Sequence, residues 1–179
     1  MQSLEIINAI KLLFNFKNPT LDLQTSIRKS MLLNVILGLI VVVLTVIVQG
    51  YGTVFWTSKY DQKRSILSEE SFKNQGAKLL ISTAVFLIFI HLIQSALWAL
   101  LYMYLPGISE FETFEKAMYF SLVTFTTLGY GEITIGSANR ILAGLEAING
   151  ITLIGWSTAF MFAIFQELLK KSVKNKHVN

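Results

Sequence analysis

The sequence predicts an all-α integral membrane protein with three transmembrane helices and a short re-entrant helix and loop between the last two. Two observations carry this. Residues 31–56 contain no charged side chain, residues 79–108 none apart from a protonatable His91, and residues 141–166 only Glu146. A spanning helix needs about 20 apolar residues at 1.5 Å rise each, so every run can cross with some tilt. Second, the 179-residue chain is 53% hydrophobic and only 15% charged, against about 25% charged in a soluble domain. Three such helices could not be covered by the polar surface that remains.

The elements follow in order. Residues 1–30 form an N-terminal segment in which Ile6, Ile7, Ile10, Leu13 and Phe14 recur at helical spacing until Pro19. This pattern reads as an amphipathic helix on the membrane surface, or as one packed on the protein itself. Residues 31–56 are the first span. Residues 57–78 are a polar linker carrying Lys59, Lys63, Arg64, Lys73 and Lys78 against Asp61, Glu69 and Glu70, expected in the cytoplasm by the positive-inside rule. Residues 79–105 are the second span, which Pro106 and Gly107 must break. Ser109, with Glu112 three residues later, reads as a capping box. It would open a helix over 113–125 that is too short to cross a bilayer. The loop 126–131 follows, then the third span over 140–168 and a basic tail over 169–179.

The formal net charge of +4 sits at membrane flanks, which points to lipid headgroups and not to nucleic acid. With no cysteine, disulfides and thiolate metal sites are excluded. The sequence shows no metal-ligand cluster, nucleophile–base set or phosphate loop, so it is not expected to be an enzyme or to need a cofactor. No arginine ladder, no secretory signal pattern and no soluble domain after the last span stand out.

The loop reads Thr126-Thr127-Leu128-Gly129-Tyr130-Gly131. Non-helical backbone at membrane depth must be buried in protein or face a water-filled cavity. Backbone carbonyls all point one way if successive residues alternate in handedness, and glycine takes left-handed values at little steric cost, which suits Gly129 and Gly131. The carbonyls of Thr127, Leu128, Gly129 and Tyr130, with the Thr127 hydroxyl, would then replace the hydration shell of a cation such as K⁺. Tyr130 would brace the loop from outside, joined by Tyr119 and Phe120. One strand cannot surround an ion, so a single loop per chain implies a cyclic homotetramer. The preceding helix would aim its partially negative C-terminus at the ion path.

Residues 115–166 resemble the potassium-channel pore module: outer helix, pore helix, selectivity-filter loop and inner helix. The sequence from Ala117 through Glu132 is most similar to small bacterial ion channels and to one pore loop of the two-pore-domain channels. Arg140 matches a basic residue that opens the inner helix, and Asn149, Gly150, Ile151, Thr152 and Gly155 match a glycine-bearing hinge. The resemblance implies a passive potassium-selective channel in the plasma (cell inner) membrane. A weakly selective cation channel and a non-conducting regulatory subunit are the alternatives. Leu128, Glu132 and Val123 depart from the commoner valine or isoleucine, aspartate and glutamate.

On the inner helix, Ala147, Ile151, Ile154, Thr158 and Phe162 share one face. If this face lines a cavity, Phe162 is a hydrophobic gate, or else it packs on a neighbouring helix. Gly150 and Gly155 are a hinge or a close-packing surface. Glu146 is costly within a span and should face protein or water. A structural hydrogen bond to the pore helix, to its backbone or a threonine, is expected, with an interhelical contact to His91 or Gln94 as the alternative. Glu110, Glu112 and Glu115 form a solvated outer cluster. Three crossings put the N-terminus on the filter side, outside, although Arg28 and Lys29 sit awkwardly there.

Overall fold

The computed structural model describes residues 19–66, 69–105, 108–136 and 139–174. The amphipathic pattern before Pro19, the Pro106–Gly107 break and the end of the basic tail lie outside them. Four helices are present: α1 (Pro19–Ile66), α2 (Glu69–Tyr104), α3 (Phe114–Phe125) and α4 (Arg140–Lys174), with no strand among the described residues. Among the described residues, three stretches are long and apolar enough to cross a membrane: Met31–Lys59, Gln75–Tyr104 and Arg140–Lys170. The all-α membrane class is therefore as expected.

The polar linker is different from the expectation. α1 runs on through Thr57 to Ile66, and α2 already starts at Glu69. The stretch holds no proline, and its Lys, Gln and Glu residues are good helix formers, so both helices extend into it from either side. α1 has 48 residues, or about 72 Å at 1.5 Å per residue. Pro19 is the first residue of this helix, where its missing N–H costs nothing.

Polar side chains give the helix register. Asn34 bonds Asn139, Thr45 bonds Asn149 and Gln49 bonds Ser157, so α1 and α4 run parallel. Trp56 donates to Thr83 at 2.8 Å and Gln94 to Gln49 at 3.0 Å, so α2 runs antiparallel to both. The start of α1 is thus at the same end as the α3 loop. The far end gathers the start of α2 and the end of α4, where Gly76 faces Leu168.

The core sits where α2, α3 and α4 meet. Trp98, Tyr102, Phe125, Leu142 and Leu153 are fully buried. Tyr102, Phe111 and Phe120 form an aromatic trio with ring centroids 5.1–5.7 Å apart. Outward-facing Leu32, Val43 and Val54 are largely exposed, as a lipid-facing helix requires. Lipid tails are as apolar as leucine, so close packing and interhelical hydrogen bonds carry the association.

Candidate functional site

α3 is capped by Thr113, whose extended backbone (φ −132°, ψ 151°) lets its hydroxyl accept from the Lys116 N–H. The Ser109–Glu112 capping box is therefore corrected. Ser109 lies four residues ahead of the true cap, and its own N–H donates to Glu110 Oε2 at 2.9 Å. Glu112 instead takes Lys116 Nζ at 2.8 Å, and this hydrogen bond holds its carboxyl below the usual range.

The end of α3 and the loop after it are one hydrogen-bonded unit. A helix leaves its last four carbonyls unpaired. Here the Leu122 carbonyl accepts from the Thr126 N–H at 3.1 Å, Thr124 from Thr127 at 2.9 Å, and Val123 from both Leu128 at 2.9 Å and Gly129 at 3.2 Å. The fourth, Phe125, lies against Gly150 of α4. A Cβ at Gly150 would come within 2.7 Å of the Phe125 carbonyl carbon and nearer still to its oxygen. Only glycine permits this approach.

The loop alternates in handedness. Thr127 (φ 59°), Gly129 (φ 56°) and Gly131 (φ 80°) are left-handed, while Leu128 and Tyr130 between them are not. The glycines were legible in the sequence, but Thr127 extends the pattern by one step without one. A non-glycine left-handed residue costs about 1–2 kcal/mol. The Thr127 hydroxyl donates to the Thr126 carbonyl at 2.7 Å. The amides of Thr126, Thr127, Leu128 and Gly129 turn back toward α3, and the carbonyls from Thr127 to Tyr130 accept nothing from the described residues.

Residues Thr126–Gly131 are all exposed in the single chain. Behind the loop lies a cleft of about 480 Å³, lined by Tyr119, Thr127, Tyr130, Glu132, Arg140 and Ala147 among others. Tyr119 Oη donates to Glu132 Oε2 at 2.9 Å, which ties α3 to the outer end of the loop and raises the phenol above its ordinary range. Phe120 touches the cleft, but it is buried and packs edge-on against Tyr102.

Glu146 is fully buried, and its partners are Ser121 on α3 and Tyr102 on α2, so contact with His91 or Gln94 is corrected. Tyr102 Oη donates to its Oε2 at 2.7 Å, and Ser121 Oγ lies 2.5 Å from its Oε1. His91 is eleven residues before Tyr102 on α2, about 16 Å deeper along the helix, and so out of reach. His91 and Gln94 belong instead to a closed ring that joins three helices. Gln94 Nε2 donates to the Thr45 carbonyl at 3.2 Å and to Gln49 Oε1 at 3.0 Å. This leaves Gln94 Oε1 as the acceptor for His91 Nδ1–H at 2.8 Å. Gln49 Nε2 donates to Ser157 Oγ at 2.9 Å, and Ser157 Oγ–H then donates to His91 Nε2 at 3.0 Å.

Of the proposed cavity face, Ile151, Thr158 and Phe162 are exposed and point away from their own chain, whereas Ile154 packs partly on the core. Gly155 meets nothing within 4 Å. Tyr102, Ser121, Gln49 and Ser157 were missed from sequence. The signal was present in Thr45, Gln49 and Thr53, spaced by four through an apolar run, which marks the protein-facing stripe.

Comparison with known proteins places this architecture. Residues 79–167 match a family model described as "Ion channel". This segment is similar to an ion-channel domain. It covers α3, the loop, nearly all of the apolar part of α2 and most of α4, with α1 outside it. No curated protein and no solved structure matched.

Proposed function

We propose that the chain is one subunit of a homotetrameric, potassium-selective channel in the plasma membrane. The observation that carries the reading is the alternation at Thr127, Gly129 and Gly131. With the amides of Thr126–Gly129 turned back to α3 and carbonyls left over, four copies around an axis present stacked oxygen rings from Thr127, Leu128, Gly129 and Tyr130. These rings replace the hydration shell of K⁺ and involve no further cofactor. The exposure of Thr126–Gly131 in one chain supports assembly, because such backbone at membrane depth needs protein or water around it. Conduction is passive. Exposed Ile151, Thr158 and Phe162 line the path below the filter, and four Phe162 rings close it by dewetting. Gly150 and Gly155 are the places where α4 bends.

Orientation follows from charge. The end opposite the filter carries Lys59, Lys63, Arg64, Lys73 and Lys78 with Lys170, Lys171 and Lys174, which makes it cytoplasmic. The start of α1 is then outside.

The test is the reversal potential of the purified protein in liposomes under opposed K⁺ and Na⁺ gradients. A potential near that of K⁺ is expected, and Tyr130→Ala should move it toward zero. Absence of K⁺ current, or a Tyr130→Ala variant with unchanged selectivity, refutes the reading.

A further inference from the structure

The proton count at Glu146 does not close with a carboxylate. Ser121 Oγ lies 2.7 Å from the Ser95 carbonyl oxygen and 2.5 Å from Glu146 Oε1. A carbonyl and a carboxylate only accept, and a hydroxyl has one proton to give. The Tyr102 proton is already spent on Oε2. One of the two contacts at Ser121 would then bring oxygen against oxygen with no hydrogen between them, in a site with no exposure. No cation offsets a charge there. α2 presents Tyr102 and α3 presents Ser121, while α1 presents Gly38 at the level of Leu142 and Leu145. Among the described residues, no lysine, arginine or histidine pairs with Glu146. An unpaired buried charge is the most expensive arrangement open to the site.

We propose that Glu146 is held as the neutral acid and is a positioning residue for the pore helix α3. Its Oε1–H donates to Ser121 Oγ, Ser121 Oγ–H donates to the Ser95 carbonyl, and Tyr102 Oη–H donates to Oε2. One added proton satisfies every contact and joins α2, α3 and α4 at a single point. The placement is specific. Glu146 and Gly150 are one turn apart on α4, and they meet Ser121 and Phe125, one turn apart on α3. α3 is thus seated at two successive turns, and the filter loop begins at the next residue. Its effect on conduction rests on the channel reading above, whereas the proton itself does not.

The experiment uses the full chain in liposomes. Infrared difference spectra between the wild type and Glu146→Gln at neutral pH should show the C=O stretch of a protonated carboxylic acid that the variant lacks. The glutamine amide offers Ser121 a donor and Tyr102 an acceptor. Glu146→Gln should therefore keep K⁺-over-Na⁺ selectivity and open probability within about twofold of wild type, while Glu146→Ala loses about tenfold, the scale of one buried hydrogen bond. Absence of the acid band overturns the proposal, as does a glutamine variant that falls as far as alanine. If Glu146→Ala does not assemble, the band and the glutamine variant still decide. Failure of the wild type to pass K⁺ sinks the channel reading, while the band alone still settles the proton.

Discussion

Gly150→Ala tests the seating of the pore helix. The new Cβ would meet backbone, 2.7 Å from the Phe125 carbonyl carbon and closer to the oxygen, so no rotamer change relieves it. Ordinary contact distances require α3 and α4 to separate by roughly 1 Å, and overpacking of this kind costs about 1–3 kcal/mol. Alanine returns up to about 1 kcal/mol through helix propensity. A net loss of up to about 2 kcal/mol is expected, with the displacement falling on Phe125, the residue before the 126–131 loop. Gly155→Ala is the matched control, because nothing lies within 4 Å of its Cβ, so it should be neutral or stabilising by up to about 1 kcal/mol. The assay pairs thermal unfolding of the detergent-purified protein with reversal potentials in liposomes. Gly150→Ala should melt lower and select less well, and Gly155→Ala should do neither. If Gly150→Ala matches wild type in both, the close approach of α3 and α4 does not position the filter.

Two further predictions follow from the same contacts. Gly129→Ala forces a Cβ onto a φ of 56°, a cost of about 1–2 kcal/mol per chain that recurs four times in a tetramer, and K⁺ currents should vanish while the circular dichroism of the helices is kept. Gln49→Leu removes a donor and an acceptor from the ring of Gln94, His91 and Ser157, and should lower thermal stability by about 1–2 kcal/mol, since interhelical hydrogen bonds in membranes are individually modest.

The coarse architecture was legible because the membrane imposes it. A run of apolar residues fixes the existence of a span, and a short capped helix before Thr126 fixes a re-entrant segment. Gly129 and Gly131 announced the left-handed steps because glycine alone takes them freely, whereas Thr127 shares the geometry without carrying its signal. Helix ends were harder to place. The polar residues of 57–66 favour helix as much as loop, so composition could not show that α1 continues to Ile66. Glu146 was visible as an anomaly, but its partners depend on relative depth. A hydroxyl such as Tyr102 or Ser121 does not stand out in a sequence as His91 does, and only the packing of α2 and α3 against α4 puts them within reach.

The pairing of the filter amides with the last turn of α3 has a thermodynamic consequence. The Thr127, Leu128 and Gly129 N–H groups are committed to Thr124 and Val123, so these three are not available to the carbonyls of the loop in any neighbouring chain. In the tetramer proposed above, a cation or water would satisfy those oxygens. The transported ion then also acts as a ligand of the folded state, stabilising the assembly by mass action as its concentration rises above its dissociation constant. In the proposed channel the cargo would be a structural component of the path it travels.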